Sequence, residues 1–71
     1  MTNTRHARQI LETLRHTAQH SAGRPIQVDT VSRITGTTAH DLQPILNALF
    51  DAGELRELIG DKLIQAVVLA D

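Results

Sequence analysis

Cysteine, tryptophan and tyrosine are absent from this 71-residue chain, and Phe50 is its only aromatic residue. Without cysteine there are no disulfides and no thiolate metal sites. Without Trp or Tyr, and with one Phe, the core must be aliphatic and no aromatic platform exists on which to stack a nucleobase or a sugar. No apolar run approaches the length needed to span a bilayer. Met1-Thr2-Asn3-Thr4-Arg5-His6 lacks the apolar stretch of a signal peptide, so a soluble cytoplasmic protein is expected, with no membrane partner. Charge of one sign is missing too: seven Lys and Arg stand against eight Asp and Glu, a net charge of −1. Nucleic-acid-binding modules are commonly basic, because phosphate neutralisation supplies most non-specific affinity.

What is present is a chain of ordinary apolar content and no low-complexity tract, enough for one small folded domain over residues 1–71. A chain this short buries only about 60% of its unfolded surface. A first helix is expected from about Thr4 to His20, with Ala7, Ile10, Leu11, Leu14 and Ala18 as its buried stripe. Asn3 or Thr4 is the candidate N-cap, and Ser21-Ala22-Gly23 followed by Pro25 stops the helix. Pro25-Ile26-Gln27-Val28 alternates like a short edge strand with Ile26 and Val28 facing inward. Asp29 is then the expected cap of a second helix, Thr30 to about Thr35, burying Val31 and Ile34.

Gly36 supplies the permissive backbone of a tight turn before a third helix, and Gly53 sits where a helix C-cap belongs. Leu42, Ile45, Leu46 and Leu49 mark the inner face of that third helix. Thr38 and Asp41 have capping spacing, but Pro44 would then fall in the second turn, where it removes a hydrogen bond. A kinked helix, or one that starts late from about Leu42 with Asp41 as its cap, is therefore expected. Beyond Gly53, two segments rich in branched aliphatics flank Gly60-Asp61, which reads as a two-residue hairpin loop. That loop pairs Leu58 with Leu63, Glu57 with Ile64 and Leu55 with Ala66. Apolar residues on both faces of the last strand imply a second covered surface, either under helix 1 or against another chain.

The order helix, short strand, helix, helix, hairpin resembles a winged helix-turn-helix, an α+β fold whose hairpin forms a wing. The resemblance spans roughly Ala7 to Leu69. Its most characteristic local match is Val31-Ser32-Arg33-Ile34-Thr35-Gly36 followed by Leu42, Leu46, Leu49 and Ala52-Gly53-Glu54-Leu55, similar to small bacterial repressors. It implies a DNA-binding transcriptional regulator, commonly a homodimer, whose third helix enters the major groove. Carried onto this chain, the reading positions are Thr38, His40, Gln43, Pro44 and Asn47. Gln43 and Asn47 are each able to pair bidentately with adenine, and Thr37 and Thr38 to meet a phosphate. Arg5, Arg8, Arg24, Arg33, Arg56 and Lys62 are the available phosphate contacts. The alternative is that these polar positions form an ordinary solvated face.

Three departures oppose that function. No Lys or Arg lies between Arg33 and Arg56, while Asp41 and Asp51 place negative charge on the third helix. Pro44 offers no donor at a reading position. Leu58, Ile59, Leu63 and Ile64 make an apolar wing, with Lys62 its only cation. A second reading follows: a protein–protein interaction module that contacts a partner, or a second copy, through that wing and the C-terminal strand. No catalytic constellation is present, and no cofactor is implied. Glu12, His16 and His20 have the four-residue spacing of helical metal ligands, yet three groups on one helix are an incomplete site, and a solvated face is the simpler reading.

Overall fold

The computed structural model describes residues 3–20 and 24–70, and side chains from His6 onward. Helices α1 (Asn3–Gln19), α2 (Val28–Thr35) and α3 (Ala39–Asp51) accompany strands β1 (Ile26–Gln27), β2 (Leu55–Ile59) and β3 (Ala66–Leu69). The strands form one antiparallel sheet in the order β1-β3-β2, so the last strand is central. The fold is thus α+β, three helices with a small three-stranded sheet. Among the described residues no helix is long and apolar enough to cross a membrane.

The core is wholly aliphatic. Ile10 and Leu14 of α1, Leu42 and Leu46 of α3, Val31 of α2 and Val67 of β3 are its most deeply buried members. On α1 the expected stripe is present: Leu11 completes it, and Ala7 and Ala18 pack against its margin. Neither Asn3 nor Thr4 caps α1, since both are helical residues within it, and the expected stop at Ser21-Ala22-Gly23 lies outside the described residues.

The second helix begins earlier than its sequence suggests. Gln27, extended at φ −71° and ψ 131°, occupies the N-cap position, and Val28 is the first helical residue. Asp29 is not the cap. The Val28 N–H donates instead to the Gln65 carbonyl at 2.9 Å, so the last residue of the hairpin loop, just before β3, supplies what a capping side chain would. Asp29 sits in the first turn, favourable for the helix dipole, and faces Arg33 at 3.6 Å. Ile34 is also corrected: it is 59% exposed. Two successive three-residue steps from Val28 through Val31 turn about 120° away from the starting direction, and Thr35 takes the inward place. Its hydroxyl donates to the Val31 carbonyl at 2.8 Å.

Gly36 closes α2 at φ +72°, the left-handed conformation expected of it. The third helix then starts at Ala39, not at Leu42. Thr38 is its N-cap, with Oγ1 accepting the Asp41 N–H at 3.1 Å. Pro44 therefore stands inside the helix, on its exposed side, and leaves the His40 carbonyl without its usual helical donor. At the other end, Ala52 is the cap and Gly53 follows at φ +81°. The Gly53 N–H donates to Phe50 O and the Glu54 N–H to Leu49 O, the paired bonds of a Schellman ending.

The hairpin departs most from expectation. Its loop is residues 60–65, not Gly60-Asp61, and the register is Leu58↔Val67, Ile59↔Ala66 and Leu55↔Leu69. None of the pairs Leu58–Leu63, Glu57–Ile64 or Leu55–Ala66 forms. A second departure lies at Leu55 and Leu58. Both pack inward although they are three residues apart, which a regular pleat forbids. An irregularity between Leu55 and Glu57 makes Arg56 the extra residue and restores the alternation. Val67 and Leu69 then meet the core, while Ala66, Val68 and Ile59 share the opposite face. Helix α1 packs on β1 and β3, so the helices cover the inner face.

Candidate interaction surface

The two sets of candidate residues meet at one side chain. Gln43 is half-buried on the flank of α3 that faces the hairpin. Its Oε1 accepts the Ile64 N–H at 2.8 Å, and its Nε2 donates to the Ile64 carbonyl at 3.2 Å. Nε2 also donates to the Ala39 carbonyl at 3.0 Å. Both hydrogens of the amide nitrogen are therefore committed, and only one lone pair of Oε1 is left. The side chain pairs with Ile64 as a neighbouring strand would, and this fixes the hairpin loop against α3. Sequence reasoning placed Gln43 in the set that reads bases and Ile64 in the set that meets a protein. In the structure each is the other's partner.

The remaining polar candidates are divided among local tasks. Asn47 is exposed, with Nδ2 donating to the Gln43 carbonyl at 3.1 Å. Thr37 Oγ1 lies 3.0 Å from His6 Nε2, tying the α2–α3 turn to α1, and Thr38 caps α3. His40 and Pro44 are exposed and line an open groove of about 500 Å³ between α3 and the start of α1. The cations are scattered: Arg33 on α2, Arg56 at the irregularity of β2, Lys62 in the loop, all exposed. Arg33 faces Asp29, and Arg15 faces Glu54 at 3.3 Å. Among the described residues Asp41 and Asp51 of α3 are exposed and in no ion pair, and this helix carries no Lys or Arg.

The apolar candidates separate by depth. Leu58 and Ile64 pack against the core, Ile59 is half-buried, and Leu63 is 57% exposed in the loop. Phe50, which the sequence reading did not single out, is 42% exposed. Helical geometry carried the signal. At about 100° per residue Phe50 falls roughly 80° from the Leu42–Leu46–Leu49 stripe, on the same flank as Gln43. Along α1, His16 and His20 meet edge to face at 5.3 Å. Among the described residues no group of three His, Asp or Glu side chains is placed to hold a metal ion.

The chain matches no family model, no curated protein and no solved structure. The class that fold and surface define is therefore the coarse one: a small α+β chain whose third helix is locked to a hairpin loop with an exposed leucine.

Proposed function

We propose that this chain is a winged-helix-type interaction module, a single domain that binds protein through its wing and not duplex DNA through α3. The supporting observation is the composition of the α3–wing surface. Where a DNA-binding member would offer cations and free amides, it has two carboxylates in no ion pair among the described residues, a committed Gln43 amide and the exposed apolar side chains of Leu63 and Phe50. Phosphate neutralisation needs several Lys or Arg on one face. Apolar anchors surrounded by polar residues are the makings of a protein contact. A second copy is the simplest partner for such a patch, because a two-fold arrangement uses the same residues twice.

A second reading is favoured by the layout itself. Helix–turn–helix followed by a hairpin is the arrangement of DNA-binding regulators, with Thr38, His40 and Asn47 on the outer side of α3. This is analogy at the level of fold, and function resides in the site.

Sedimentation at rising concentration, for wild type and Leu63→Ser, tests the proposal. The wild-type mass should increase with concentration, and serine should remove the increase while leaving the circular dichroism spectrum intact, because Leu63 contributes little to the core. A strictly monomeric wild type that binds duplex DNA would reverse the ranking of the two readings.

A further inference from the structure

The Gln43–Ile64 pairing joins elements 21 residues apart, and its neighbourhood shows how much depends on it. Within the loop, Asp61, Lys62 and Leu63 are exposed and make no hydrogen bond to any described residue. The next backbone tie is at Gln65, whose N–H donates to Ile59 O at 2.7 Å and whose carbonyl accepts from Val28. That tie belongs to the sheet. Among the described residues the clamp on Ile64 is therefore the only hydrogen-bonded attachment of residues 61–64 to α3. The Ile64 side chain packs at the margin of the core, but an apolar contact is non-directional and does not fix the peptide's orientation.

The chemistry of the clamp makes it exclusive. A primary amide presents one donor–acceptor edge, and here that edge is occupied by the Ile64 peptide while the second Nε2 hydrogen is held by Ala39 O. Any group that engages Gln43 by the same edge, whether the rim of a base or the peptide of a partner strand, must first displace Ile64.

We propose that Gln43 latches the wing to α3, and that the wing loop opens as a local unit when this amide is taken from it. The wing is then either latched, with Leu63 held in a fixed position, or open, with the Gln43 amide free. The two surfaces of the α3–wing region are coupled through one side chain, and a ligand of one changes the state of the other. This inference does not depend on which macromolecule binds.

Amide hydrogen exchange on the full chain, read by NMR, tests the latch in wild type, Gln43→Met and Gln43→Glu. Methionine keeps the length of the side chain and its helix propensity while removing the amide. In wild type the Ile64 N–H should be protected, while those of Lys62 and Leu63, which have no acceptor, exchange freely. Gln43→Met should speed Ile64 exchange about tenfold or more, the range set by losing two net hydrogen bonds. Protection at Leu46 and Val67 should be unchanged. Gln43→Glu keeps the acceptor and loses both donors, so it should fall between. Unchanged Ile64 exchange in Gln43→Met would overturn the latch. So would an equal acceleration at Leu46 and Val67, since the side chain would then support the whole fold and no local opening.

Discussion

Leu42→Ala is expected to cost about 2–5 kcal/mol, a large part of what keeps this chain folded at room temperature. Leu42 has no exposed surface and sits among residues that are all aliphatic. The residue for which sequence offered no substitute, the single aromatic, is not in the core at all: Phe50 stays 42% exposed. Each central leucine consequently carries a large share of what burial provides. A domain of this length has a total stability of roughly 4–10 kcal/mol, so a single cavity of this kind removes a large part of it. Urea unfolding followed by circular dichroism gives the number. Phe50→Ala in the same assay should cost clearly less than Leu42→Ala, although it removes more atoms. The reverse order would mean that α3 is rotated from the position described.

Gly60→Ala is the second large effect. Gly60 has φ +148°, a conformation that L side chains rarely adopt. A β-carbon there would overlap the Leu63 carbonyl oxygen and come within 2.8 Å of the Gln65 nitrogen. Both are backbone atoms, so no change of rotamer relieves the contact and the loop itself must move. The Gln65–Ile59 hydrogen bond and the Gln43 clamp depend on that loop geometry. A loss of about 1–3 kcal/mol is expected, with amide shifts concentrated at 59–65 and on Gln43. Gly36→Ala is the matched control. Gly36 also has positive φ, but a β-carbon there meets open space, so only the conformational cost of about 1–2 kcal/mol applies. An alanine at 60 that leaves the 59–65 amides unmoved would contradict the loop structure.

These two positions also show where sequence was informative. Leu42 was legible as core because the helical stripe of α3 repeats cleanly, and Gly36 and Gly53 marked helix ends by the conformations only they adopt readily. The start of α3 was not legible. Pro44 argued locally for a late start, whereas the Thr38 cap and the burial of Leu42 pull the helix back to Ala39. The hairpin was misread for a related reason. Gly60-Asp61 is good local turn chemistry, but Ile64 pairs with Gln43 and Gln65 with Ile59 and Val28, and Leu55 and Leu58 cannot both face the core without an extra residue at Arg56. The site was half legible. Leu63 and the cation-free α3 could be read directly, while the Gln43–Ile64 pairing joins elements too far apart in sequence for any local pattern to show.

We propose above that the α3–hairpin surface meets protein and not phosphate. The most direct test is a fluorescence titration of the wild-type protein with random-sequence duplex DNA at low salt, roughly 50 mM, repeated as salt is raised. The expected result is no saturable binding at the lowest salt, because α3 carries exposed carboxylates and no Lys or Arg, and the cations of the chain lie on separate elements. Tight binding that weakens steeply with salt would contradict it, since the scattered arginines would then have to converge on one face.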